Sequence, residues 1–128
     1  MSPALRTPLK NVRGLGSAHA GVRHFMIQRL TALALIALGL WFVYLVLVLL
    51  RADYATAHAA IASPWNAVLM MAFAIALFWH AQLGLQVVIE DYVHTRAAEL
   101  TLQIAVKFLC FLGALASVFA VARIAFGG

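Results

Sequence analysis

From Leu30 to Leu50 the chain carries no charged side chain, and Arg51, Asp53 and Tyr54 close the run. At about 1.5 Å per residue this makes roughly 30 Å of helix, the thickness of a bilayer's hydrocarbon core. A second apolar run, from about Ala67 to Ile89, is interrupted only by His80, Gln82 and Gln86. Ser63-Pro64-Trp65-Asn66 ahead of it reads as a helix start, with proline accepted in the first turn. Glu90 to Arg96 returns the chain to a polar interface, and a third run, about Leu100 to Ala122, carries Gln103 and Lys107 before Arg123. Each run is long enough to span. The pattern predicts an all-α integral membrane protein with transmembrane helices over about 30–50, 67–89 and 100–122. Loops join them over 51–66 and 90–99.

Composition supports that assignment. Of 128 residues, 66% are hydrophobic and 10% charged, whereas soluble domains run at about 45–50% and about 25%. A chain this short cannot bury so much apolar surface in a water-soluble core. It is one domain at most, and its single cysteine, Cys110, rules out an internal disulfide framework or a cysteine-built metal centre. Within span three Cys110 reads as a small buried apolar residue.

The net charge of +5 is concentrated at one end. Arg6, Lys10, Arg13, Arg23 and Arg29 precede the first span, in a segment without Asp or Glu. No basic stripe interleaved with aromatics points to nucleic acid. Basic flanks lie on the cytoplasmic side of spans, so residues 1–29 form a cytoplasmic N-terminal segment (matrix, in a mitochondrion) and 30–128 a three-helix membrane domain. Ala57-His58-Ala59 imitates a signal-peptide cleavage site, but the preceding apolar run is too long and its leader too extended for a signal.

Polar groups inside the spans need partners, because lipid offers none. His80, Gln82, Gln86, Gln103 and Lys107 are more than three lipid-facing helices would carry. The expectation is a larger bundle shared with another subunit.

His80 is the centre of interest. It lies about 15 Å of helix from the inner end of span two, a depth at which an ionisable side chain is a functional candidate. A neutral imidazole ligates haem iron, and Gly84, one turn further along the same face, leaves room for a flat macrocycle. The plainer alternative makes His80 a hydrogen-bonding partner for a neighbouring helix and Gly84 a packing notch. His19, His24, His58 and His94 all fall in the leader or loops, so any second axial ligand comes from another chain. Asp91-Tyr92 follows His80 by about 18 Å, at the membrane surface. There Tyr92 is either an interfacial anchor or a phenol donating to a quinone carbonyl, with Asp91 orienting it or supplying protons. Arg29, at the same face, is a basic flank, or a guanidinium for haem propionates or for the charge on a reduced quinone. Lys107 is close enough to the interface to snorkel, with a propionate or carboxylate partner as the alternative; Trp65 suits the opposite interfacial belt, and Trp79 is a packing residue.

Two blocks carry a family resemblance. Gly21-Val22-Arg23-His24-Phe25-Met26-Ile27-Gln28-Arg29-Leu30-Thr31-Ala32 resembles the segment that enters the first span of the small, D-type membrane anchor of succinate dehydrogenase (respiratory complex II). His80-Ala81-Gln82-Leu83-Gly84, followed by Glu90-Asp91-Tyr92-Val93, is similar to that family's His-x3-Gly-x6-Asp-Tyr signature. With the three-span layout the likeness extends over about 16–125. It implies that His80 is one axial ligand of a haem b shared with a larger cytochrome b anchor subunit. It also implies that Tyr92, with Asp91, binds ubiquinone, and that Arg29 lies near the haem propionates and the quinone. The further partners implied are a flavoprotein and an iron–sulfur subunit, in a bacterial inner membrane or the mitochondrial inner membrane. Two other readings stand beside this one: a purely structural anchor without haem, and the anchor of a fumarate reductase. A small transporter would show broken helices or repeat symmetry.

Overall fold

The computed structural model describes residues 19–127, with side chains from Gly21 onward; Arg6, Lys10 and Arg13 of the basic leader lie outside the described residues. Among the described residues four helices follow one another: α1 His19–Leu49, α2 Tyr54–Ala62, α3 Pro64–Tyr92 and α4 Arg96–Phe126. There is no strand among the described residues. Helices α1, α3 and α4 are each long and apolar enough to cross a membrane, so the all-α, three-span architecture expected from the apolar runs is the one observed.

Each long helix exceeds its apolar run. α1 and α4 have 31 residues and α3 has 29, about 45 Å apiece, which covers the headgroup regions as well as the hydrocarbon. α1 begins at His19, well before Leu30, so Arg23, His24, Gln28 and Arg29 sit on a helix rather than in an irregular leader.

The stretch 51–66, expected to be a loop, is largely the helix α2. Its sequence, Tyr-Ala-Thr-Ala-His-Ala-Ala-Ile-Ala, is rich in the strongest helix former. Asp53 caps it: Oδ1 accepts from the Thr56 amide at 3.0 Å, and hydrogen bonding from the Thr56 side chain and backbone holds the carboxyl below its ordinary pKa. Ser63 ends α2 and starts α3. Its N–H donates to Ala59 O at 3.1 Å, and its hydroxyl accepts from the Asn66 amide at 3.4 Å. Pro64 follows at the first helical position, where its missing N–H costs nothing. The Asn66 side chain donates to Ala60 O at 2.8 Å and ties the two helices at their corner. This is the helix start read from Ser63-Pro64-Trp65-Asn66.

α3 is central: both α1 and α4 pack against it, and α2 packs on α3 and α4 at the end away from His19. Most of the buried apolar residues lie on α3: Ala67, Ala74, Ala76, Leu83 and Ile89, with Val121 on α4. Small residues let membrane helices approach, since lipid tails give no hydrophobic drive for the contact. Phe42 of α1 stacks on Phe73 of α3, centroids 4.9 Å apart. The rest of α1 shows Leu33, Ile36, Leu40, Tyr44 and Leu47 outward, a surface for acyl chains or other helices and not for water.

α3 and α4 approach tightly at Gly113, which faces the Phe78 ring. A Cβ there would overlap Phe78 Cε1 and lie 2.7 Å from Cζ. Gly113→Ala is expected to weaken the bundle by about 1–3 kcal/mol, the usual cost of overpacking. The measurement is the Tm of the detergent-solubilised protein; an unchanged Tm would show that Phe78 swings aside freely.

Candidate functional site

α1 and α3 lie side by side, and polar residues of the two helices meet along the N-terminal half of α1. Thr31, at 7% exposure, is the one buried polar residue among those described. Its Oγ1 is 3.0 Å from Nδ1 of His80 across the seam. The same hydroxyl lies 2.9 Å from Ile27 O and 3.1 Å from Gln28 O on its own helix. His80 is half-buried and so faces α1, which is the interhelical hydrogen bond that the plainer reading of this residue requires. Only Nδ1 is used in it; Nε2 has no hydrogen-bond partner among the described residues.

One turn from His80, Gly84 opens onto a cavity of about 680 Å³ lined by Gly21, His24, Phe25, Gln28, Val87 and Glu90. That is within the size range of cofactor pockets. A Cβ on Gly84 would come no nearer than 3.9 Å to Gln28 Nε2. Gly84 is therefore not a notch for α1, and its missing side chain widens the cavity instead. Two buried polar atoms at this end, His24 Nε2 and Gln28 Oε1, lack hydrogen-bond partners. Such atoms are uncommon and call for an explanation. Thr31, Gln28 and His24 recur at helical spacing along α1, so a polar stripe runs from the His80 contact toward the end of the bundle.

Gln86 and Gln103 find partners within the chain. Gln86 donates to Glu90 Oε1 at 2.9 Å. Gln103, across the turn on α4, donates to Glu90 at 3.5 Å and to Glu99 at 3.3 Å. Arg96 pairs with Glu99 at 3.6 Å. These two glutamines do not need another subunit. Gln82 instead lines a smaller cavity of about 250 Å³ between α3 and α4, with Lys107, Trp79 and Cys110 among its walls.

The remaining candidates are not joined to His80. Tyr92 ends α3 and is 80% exposed; Asp91 beside it is exposed. Arg29, two residues before Thr31, points off the α1–α3 seam, and its guanidinium lies over the Phe25 ring at 5.0 Å. No hydrogen bond or ion pair links Arg29, Asp91 and Tyr92 among the described residues. The three share one end of the bundle and leave their polar groups free. Sequence alone assigns Thr31, Gln28 and His24 no role. A lone hydroxyl at the start of an apolar run was the available signal for Thr31.

The family model for the succinate dehydrogenase/fumarate reductase transmembrane subunit matches residues 3–114. The succinate dehydrogenase hydrophobic membrane anchor subunit of Rickettsia bellii (strain RML369-C) is 34% identical over 121 residues, covering 94% of this chain and 97% of the relative. That of Rickettsia typhi (strain ATCC VR-144 / Wilmington) is 30% identical over 82% of this chain and 84% of its own. No solved structure matches the chain at comparable stringency.

Proposed function

The chain belongs to the succinate dehydrogenase/fumarate reductase transmembrane subunit family, as a membrane anchor subunit of succinate dehydrogenase, and from that premise we propose that it co-ligates a haem b and builds part of a ubiquinone site. The supporting observation is the imidazole of His80, held by one nitrogen on the α1–α3 seam beside a cofactor-sized cavity.

The residues present fit half of a bis-histidine haem site. His80 would supply one nitrogen to the iron, Gly84 would leave the open face, and the unpartnered His24 Nε2 and Gln28 Oε1 would form a polar rim at the cavity's outer end. The other ligand would come from a larger cytochrome b anchor subunit. His24 lines the cavity and Arg29 lies over Phe25, which lines it too, so both are suited to carboxylates. Bound haem would supply a one-electron store beside the route to quinone.

In this reading the N-terminal end of the bundle faces the cytoplasm of a bacterium, as the basic leader requires. It receives a flavoprotein and an iron–sulfur subunit there. Electrons from succinate oxidation reach ubiquinone at this surface, and quinone reduction consumes two electrons and two protons. Tyr92 holds a carbonyl oxygen through its phenol, Asp91 exchanges protons with water next to it, and Arg29 offsets the negative charge that develops. A phenol at the interface meets these needs, whereas His80, deep in the bundle, does not.

The test is purification in mild detergent. A flavoprotein, an iron–sulfur protein and a second hydrophobic chain are expected to co-elute, with a positive pyridine haemochrome. Elution of this chain alone, or a complex without haem, would overturn the corresponding part of the proposal.

A further inference from the structure

We infer that Thr31 is a positioning residue for His80: its hydroxyl fixes the imidazole in the Nδ1–H tautomer and so reserves Nε2 for a metal. The inference rests on the reading of His80 as a haem ligand and adds to it a residue from the other helix.

The argument is a proton count. A threonine hydroxyl has one proton and two lone pairs. In a helix that proton goes to a carbonyl one turn back, and here Ile27 O at 2.9 Å and Gln28 O at 3.1 Å both stand ready. With the proton committed to its own helix, Oγ1 turns a lone pair toward His80 Nδ1, 3.0 Å away. Nδ1 must then carry the imidazole's one N–H, which leaves Nε2 as a lone pair. The opposite arrangement, Thr31 donating to Nδ1, would place the proton on Nε2 and close the ring to iron. It would also strip Thr31 of its carbonyl bond at a buried position.

Metal-bound histidines donate their other N–H to a fixed acceptor, which sets ring orientation and raises ligand basicity. The acceptor is usually a carboxylate, a carbonyl or water. Here it is a hydroxyl made into an acceptor by its own backbone, and no water is needed in the seam. The bond to Nδ1 also fixes the ring plane, because the contacts of Oγ1 with Ile27 O and Gln28 O hold Thr31 in one χ1 rotamer.

The test uses the intact complex with Thr31→Val, which keeps the shape and removes the hydroxyl, and Thr31→Ser, which keeps the hydroxyl. A more basic ligand favours ferric haem, so Thr31→Val should shift the redox equilibrium toward the reduced form by about three- to tenfold. Tenfold is a rise of about 59 mV in midpoint potential for one electron. The ferric EPR g values should move with it as the ring plane loosens, and Thr31→Ser should restore both. Thr31→Ala provides the same comparison if valine's second methyl hinders assembly. A haem-loaded Thr31→Val or Thr31→Ala complex with wild-type potential and EPR would overturn the inference while leaving His80 as ligand. A wild-type complex without haem would instead remove the reading beneath it.

Discussion

His80→Ala should abolish the low-spin bis-histidine haem spectrum of the assembled complex and lower its haem content tenfold or more. Loss of a group that merely orients a metal ligand costs 10–100-fold in affinity, and here the ligand itself is removed. The bundle should survive the change. Interhelical hydrogen bonds in membrane proteins contribute about 0.6 kcal/mol on average. Thr31 keeps its bonds to Ile27 O and Gln28 O when His80 is gone, so no buried donor is orphaned. That magnitude separates haem ligation from a purely structural role. A contact worth so little does not explain an ionisable side chain at this depth, and a structural histidine would change no spectrum. Exogenous imidazole should restore the low-spin form, because alanine leaves a ring-sized space with the Thr31 acceptor intact. An unchanged bis-histidine spectrum in His80→Ala would end the ligand assignment.

The three spans were legible because lipid imposes a single rule over about twenty residues, and Leu30–Leu50 obeys it without exception. Helix ends were less legible. In the interfacial zone apolar continuity stops while helix continues, so α1 starts at His19 and takes His24 and Gln28 with it. The helix α2 was hidden by its length, although its alanine content and the Asp53–Thr56 cap both stand in the sequence. His80 was visible because it breaks an apolar run. Its partner was not, for Thr31 is 49 residues away. Their meeting depends on the register between α1 and α3, which no local sequence signal specifies. The same holds for Gln103: sequence marks it as needing a partner, but only the tight turn between α3 and α4 brings Glu90 within reach. Arg29 shows the reverse. Proximity in sequence put it beside the candidate site, and helical geometry turns it away from His80 and onto Phe25.

Tyr92→Phe should lower the kcat/KM for ubiquinone reduction by about 100-fold while succinate oxidation with a soluble electron acceptor stays at the wild-type rate. Removing one donor to an oxygen that gains charge in the transition state costs 10²–10³ in rate where water is excluded. The lower end applies here, because Tyr92 lies at the bundle's end and is 80% exposed in the isolated chain, and water can partly replace a lost phenol there. Phenylalanine keeps the ring, so packing at the end of α3 and any partner contact through the ring are preserved. The two assays divide the possibilities. If Tyr92 served only as an interfacial anchor, the substitution would lower the Tm and the yield of complex, and both activities of the surviving complex would be unaffected. If it holds the quinone, the quinone-linked activity alone falls. Asp91→Asn completes the argument from the proton side. It leaves the phenol in place but removes the carboxylate from the water-facing edge, so it should slow quinone reduction by less than the 100-fold loss and leave succinate oxidation with a soluble acceptor unchanged. Equal quinone reductase activity in Tyr92→Phe and wild type would move the quinone away from the end of α3.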